Sequence, residues 1–295
     1  MKVLFVVGAG RSGTNILAKI LSADPRIQNA FESRYIWNFG QKDISIDCRQ
    51  PVETNGKIAK YIRKKLFKIA GPSTQVLIDK TPGNALRIPF VLSVFPNAKV
   101  VNIIRDGRAS VLSRVELWDQ PSGVRPSRIL QRIVARSGHL VRLVLRGNIP
   151  LDRLPTALWD QFSRLSGEHS KRSLRLGERI GVHDFPAGVD DPLVYRALQW
   201  QEVVSTSLRD GRILGDDSYL EIRYEDFVFE TDRCIKSIFD FLSLDDPECC
   251  IRFADSEVVA KKDQNRLGSL DKNDEDVIED IVGTTLKELG YINGL

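Results

Sequence analysis

The stretch VVGAGRSGTN, Val6 to Asn15, holds the densest set of residues able to bind an anion. Gly8, Gly10 and Gly13 fit the G-x-G-x-x-G of a dinucleotide-binding turn. Gly8 and Gly13 also fit the outer glycines of a P-loop, G-x-x-x-x-G-K-[ST]. That loop needs a lysine after its second glycine to reach the outer phosphates, followed by a magnesium-binding hydroxyl. Here Thr14 and Asn15 stand in those places, and the cation is Arg11. A third reading therefore uses Arg11 itself. Backbone N–H groups of Ser12, Gly13 and Thr14 would face an anion at a helix N-terminus. Arg11 and the two hydroxyls would add charge-assisted hydrogen bonds. That chemistry suits a phosphosulfate, which can be held without a metal.

Further cations sit where such a ligand would lie. Ligands of open α/β sheets bind at the carboxyl ends of the strands. The runs Lys2–Val7, Val76–Asp79 and Lys99–Ile104 read as buried parallel strands, and they lead to Arg11, Lys80 and Arg105. One cation at a strand end is commonplace; three on one edge suggest a polyanion.

The elements that must carry these residues follow from periodicity. Gly13–Ser22, Ala85–Phe95, Gly107–Trp118, Arg233–Leu242 and Asp274–Leu289 have helical spacing, and Tyr219–Tyr224 alternates as a fourth strand. The fold class is α/β: a P-loop-like parallel sheet flanked by helices on both faces. The approach to Glu32, Arg26–Phe31, makes a poor strand, which counts against the dinucleotide reading. Residues 119–191 break the rhythm. They read as a mostly helical, arginine-rich insertion in a single 1–295 domain, with a basic amphipathic helix over 127–146. That helix has three readings: a solvated face, a membrane-surface helix or a partner site.

Composition narrows the classes. The chain has 295 residues, 42% hydrophobic and 28% charged, with a net charge of +4. It can bury a core, and its charge does not point to nucleic acid. Cys48, Cys234, Cys249 and Cys250 lack metal-site or disulfide-framework spacing and read as reduced thiols of a cytoplasmic protein. No stretch approaches the roughly 20 apolar residues of a membrane helix, and no Asp/Glu/His cluster offers a metal site.

GRSGTN, DKTP at Asp79–Pro82, NIIRDGRASVLS at Asn102–Ser113 and YLEIRYEDFV at Tyr219–Val228 together resemble the sulfotransferase family. A final LGY at Leu289–Tyr291 resembles its usual ending. The likeness runs in order over most of the chain except 119–191, and is nearest to soluble, bacterial-like members of the tyrosylprotein and carbohydrate-modifying branch.

The resemblance implies a PAPS-dependent enzyme. It would move a sulfuryl group from 3′-phosphoadenosine 5′-phosphosulfate (PAPS) to a hydroxyl of a glycan, a peptide tyrosine or a small molecule. It implies that Arg11, Ser12, Gly13, Thr14 and Asn15 hold the 5′-phosphosulfate, that Arg105 and Ser113 hold the 3′-phosphate, and that Tyr224 meets the adenine side. Arg266, in NRLGS at 265–269, takes the place of a second 3′-phosphate contact. Arginine at 11 in place of the lysine of some members keeps a permanent charge and a planar fork.

Many members place a histidine as general base two residues after the strand-end lysine; Pro82 stands there. His139, His169 and His183 all lie in the insertion. Glu32, 21 residues after Arg11, has the spacing of the tyrosylprotein branch's glutamate base. Glu32, Lys80 and Arg11 are the catalytic candidates, with no metal. The insertion would build the acceptor site, acidic acceptors included. The alternatives are a kinase-like phosphotransferase and a nucleotide-binding module without transfer chemistry, which would need neither Glu32 nor Lys80.

Overall fold

The computed structural model describes residues 1–30, 32–118, 177–181, 191–258 and 271–292. Its elements in chain order are β1 (Lys2–Val7), α1 (Thr14–Leu21), β2 (Ile27–Asn29), α2 (Arg34–Trp37), α3 (Gly56–Phe67), β3 (Val76–Asp79), α4 (Ile88–Val94), β4 (Lys99–Ile104) and α5 (Gly107–Trp118). After them come α6 (Pro192–Arg212), β5 (Tyr219–Arg223), α7 (Tyr224–Phe229), α8 (Thr231–Leu242), α9 (Glu248–Val258) and α10 (Lys272–Glu288). The basic helix expected over 127–146, the three histidines and Arg266 lie outside the described residues.

The strands form one parallel sheet in the order β2-β3-β1-β4-β5. The hydrophobic runs of β1, β3 and β4 explain their central places, since both faces of a parallel sheet are covered. Along β1, Val3, Phe5 and Val7 join one apolar cluster with Trp37, Phe90, Trp200 and Ile278. Leu4 and Val6 join the other, with Leu17, Ile20, Ile238 and Phe239. Two helical layers therefore close on one sheet.

Three expectations need correction. Ile27–Asn29 is a strand after all, a three-residue edge strand whose register with β3 pairs Ile27 with Val76. The dinucleotide reading fails for a different reason: β2 borders β3, whereas that fold needs its second strand beside the first. The single helix expected over Ala85–Phe95 is divided into a 3₁₀ turn at Pro82–Leu86 and then α4. Arg87, between them, has φ −151°. Pro89 has no N–H to donate to the carbonyl four residues back and its ring would clash with it, so the helix cannot run through and restarts with proline in its first turn. Finally, β5 stops at Arg223, and Tyr224 opens α7.

Helix α6 ends the stretch that lacks strand rhythm. Its N-cap is Asp191, whose carboxylate accepts from Leu193 N–H at 2.7 Å, with Pro192 in the first turn. None of the described helices is long and apolar enough to cross a membrane.

Candidate active site

The connection from β1 passes through α1 to β2, skipping β3, so β1 lies at the switch point of the sheet. A crevice forms there, and the Gly8–Gly13 loop occupies it. The glycines let the loop hug its neighbours. Gly8 has φ +143°, and a Cβ there would lie 2.3 Å from the Ile103 carbonyl of β4. Gly13 has φ +99°, and a Cβ would lie 2.5 Å from the Tyr224 ring. Between them Arg11, though not glycine, is left-handed at φ +71°. Such a residue persists only where its surroundings hold it.

Three side chains grip this loop from α5 and its approach. Ser110 Oγ and Arg114 Nε both donate to the Gly10 carbonyl, each at 3.0 Å. Arg105 Nη1 donates to the Arg11 carbonyl at 3.1 Å. Ser110, Ser113 and Arg114 fall at i, i+3, i+4, one face of α5. That spacing is the sequence signal that would have found Ser110 and Arg114. Arg11 Nε in turn donates to Ser113 Oγ at 3.1 Å. The Arg105 guanidinium lies over the Tyr224 ring, 4.6 Å from its centroid. Arg11, Ser113, Arg105 and Tyr224 are thus one connected group beside the loop. The N-terminus of α5 is held in turn: Asp106 N–H donates to Glu225 Oε1 at 3.1 Å, and Tyr291 OH donates to Glu225 Oε2 at 2.8 Å.

The loop fits a phosphate or sulfate. Ser12 is buried, and its Oγ has no hydrogen-bond partner among the described residues. Gly13 caps α1 without a side-chain hydrogen bond, so among the described residues no side chain takes up the first-turn N–H groups. An anion's oxygens would satisfy both. Thr14 is buried in that first turn and Asn15 is exposed.

The second half of the site lies at the end of β3. Lys80 Nζ donates to Glu32 Oε1 at 2.8 Å. The lysine side chain is 5% exposed and the glutamate 57%. The turn holding Glu32 is tied to the same strand end, because Ser33 N–H donates to Thr81 Oγ1 at 2.9 Å. Beneath them Asp79 accepts from Trp37 Nε1 at 3.0 Å and Asn84 Nδ2 at 3.1 Å. Burial raises its carboxyl above the usual range, against the lowering effect of the Trp37 hydrogen bond. Arg34 stands two residues after Glu32 and pairs with the buried Asp47 at 3.2 Å.

Among the described residues, no group of three or more His, Cys, Asp or Glu side chains has the spacing to hold a metal ion. The described cysteines are free thiols.

Fold and site together define a P-loop-like α/β protein with an arginine-bearing glycine loop and a Lys–Glu pair at the end of the neighbouring strand. Residues 4–132 match the model of the Sulfotransferase family. The protein-tyrosine sulfotransferase of Drosophila melanogaster is 30% identical over 126 residues, covering 38% of this chain and 25% of that protein. Protein-tyrosine sulfotransferase 1 of Homo sapiens is 29% identical over 127 residues, covering 39% of this chain and 34% of that protein. The chain therefore spans only about a quarter to a third of the length of these curated relatives. Among solved structures, the sulfotransferase domain of the Synechococcus olefin synthase covers 100% of this chain and 96% of its own, at 13% identity and a TM-score of 0.49.

Proposed function

We propose that this protein is a PAPS-dependent sulfotransferase, transferring the sulfuryl group to a hydroxyl acceptor. The observation that carries the reading is the Lys80–Glu32 pair, 2.8 Å apart, beside an anion loop that contains Arg11. Binding alone would need neither member of that pair.

In this reading Ser12, Gly13, Thr14 and Asn15 hold the 5′-phosphosulfate with their amides and hydroxyls, and Arg11 adds charge. Arg105 and Ser113 hold the 3′-phosphate, and Tyr224 lies on the adenine side. Arg266 is proposed as a further phosphate contact. The acceptor oxygen attacks sulfur. A new S–O bond forms, and the S–O bond to the bridging oxygen of the phosphate breaks. The bond's electrons leave with adenosine 3′,5′-bisphosphate, and the acceptor proton goes to Glu32.

The ion pair gives Lys80 a timed role. While Glu32 is a carboxylate it shares the Lys80 ammonium. Once Glu32 takes the proton, its hold on Lys80 weakens, and the ammonium is released toward the bridging oxygen as that atom gains charge. Arg11 stabilises the sulfuryl oxygens. Lys80 and Arg11 together meet the charge on the reacting group, so transfer is proposed to need no metal.

The whole chain is proposed as one sulfotransferase domain, with 119–191 contributing the acceptor side apart from 177–181, which pack against the glycine loop and the core. The arginines of 119–191 support an acceptor that is itself acidic, a glycan or peptide. Four free cysteines favour a reducing compartment, and the cytoplasm is the proposed location. The test is incubation with labelled donor, in chelator, against tyrosine peptides, glycans and hydroxylated lipids. Label on one acceptor class, absent in Lys80→Met, supports the reading. Label from ATP with magnesium, and none from the sulfate donor, refutes it.

A further inference from the structure

We infer that Glu178 is a positioning residue that holds the anion loop, and with it Arg11, in working geometry. The inference rests on the sulfotransferase reading for its catalytic consequence but not for its structural one. Glu178 belongs to the short segment 177–181, remote in sequence from every motif. Its carboxylate Oε1 accepts from Gly10 N–H at 2.6 Å. Its Oε2 faces Arg114 Nη1 at 3.2 Å, and both side chains are fully buried.

The arrangement is a clamp on one residue. Gly10 has its N–H taken by Glu178 and its carbonyl taken by Arg114, the very residue that pairs with Glu178. Gln199 closes the ring: it accepts from Arg114 Nη1 at 2.6 Å and donates to the Glu178 carbonyl at 2.5 Å. The next residue is Arg11, whose left-handed φ of +71° costs energy unless its neighbours impose it. Gly10 is the residue through which that backbone is imposed, and Glu178 holds its N–H. A buried carboxylate is costly to keep, and this one does no chemistry in the proposed reaction.

The same segment reaches the other half of the site. Gly177 O accepts from Arg34 Nη2 at 2.6 Å. Arg179 N–H donates to Asp47 Oδ2 at 2.9 Å, and Asp47 N–H donates to the Arg179 carbonyl at 2.7 Å. Ile180 is buried in the core. Residues 177–180 therefore touch the loop one residue before Arg11 and a side chain two residues after Glu32. They set the spacing between the cation on the donor and the base on the acceptor. A displacement of about 1 Å between reacting groups can cost roughly 10²-fold in rate.

The experiment compares Glu178→Ala, Glu178→Gln and wild type by hydrogen exchange, nucleotide calorimetry and single-turnover transfer. The alanine variant is expected to exchange the amides of residues 10–14 at least ~10-fold faster, while α8 and α10 keep wild-type protection. It is expected to bind adenosine 3′,5′-bisphosphate ~10-fold more weakly and to transfer about 10²-fold more slowly at saturating donor. Glutamine keeps an oxygen for Gly10 N–H, so it should restore loop protection and affinity to within a few fold. If the alanine variant does not fold, Glu178→Asp takes its place, because it keeps the charge for Arg114 and withdraws the oxygen from Gly10. Wild-type loop exchange in the variant, or faster exchange spread evenly over all helices, overturns the inference. A wild-type chain that fails to bind the bisphosphate refutes the proposed function instead, and the exchange result still decides on Glu178.

Discussion

Replacing Glu32 with glutamine should separate chemistry from binding. Glutamine keeps the shape and an oxygen for the Lys80 ammonium but cannot take the acceptor proton. A positioned acid or base contributes roughly 10²–10⁴ in rate, or about 2.7–5.4 kcal/mol at 1.36 kcal/mol per decade. The fold should scarcely notice. The pair is 2.8 Å apart, but Glu32 is 57% exposed, and ion pairs with so exposed a partner contribute about 1 kcal/mol or less. For a chain of this size that is a melting shift of about 2–4 °C at most. Donor affinity should stay within a few fold, since the contacts of Arg11, Ser12 and Arg105 are untouched. The assay is single-turnover transfer beside calorimetric nucleotide affinity. If the two residues act as a unit, Glu32→Gln with Lys80→Met should cost less than the sum of the two single losses. Wild-type turnover in Glu32→Gln, or a loss of affinity as large as the loss of rate, would refute the reasoning. His183 would then be the next base to test.

Other predictions follow from the same geometry. Arg105→Ala should weaken adenosine 3′,5′-bisphosphate binding ~10–100-fold, the loss of a charged hydrogen bond of about 1.5–3 kcal/mol. Its saturated rate should change little, because the contact is remote from sulfur and uniform between ground and transition states; titration and saturated turnover check both. Ser12→Ala removes a buried hydroxyl that has no partner among the described residues. Unliganded stability should hold or rise slightly while nucleotide affinity falls, as melts with and without the bisphosphate would show. Gly13→Ala forces a side chain into φ +99° with its Cβ 2.5 Å from the Tyr224 ring. Left-handed strain and overpacking together suggest about 2–4 kcal/mol, which a denaturant midpoint would register alongside lost nucleotide binding.

Much of this architecture is legible in the sequence, for physical reasons. Lys2–Val7, Val76–Asp79 and Lys99–Ile104 are read to the residue because strands covered on both faces need unbroken apolar runs. Ile27–Asn29 escapes because an edge strand of three residues, with glutamine and asparagine in it, has too little pattern. Helix α3, Gly56–Phe67, escapes because only Ile58, Ile62 and Leu66 mark its buried stripe among many charges. Its Asn55 cap, accepting from Ile58 N–H, is the missed signal. At the site, cations after strand ends stand out locally, and the structure brings Arg11, Arg105, Ser113 and Tyr224 together. Glu178 gives no such sign. It meets Gly10 across 168 positions of sequence, and a contact of that span leaves no periodicity to read.

The central claim is that the Arg11 loop and Arg105 hold a 3′-phosphorylated, 5′-phosphosulfated adenosine without magnesium. Calorimetric titration of adenosine 3′,5′-bisphosphate into the protein in chelator tests it most directly, with a parallel thermal melt. The account predicts saturable one-to-one binding, weakened ~10–100-fold in Arg105→Ala. At a ligand concentration 100 times the Kd, it predicts about 2.7 kcal/mol of added stability. Binding of ATP that requires magnesium, with none of the bisphosphate, would contradict it.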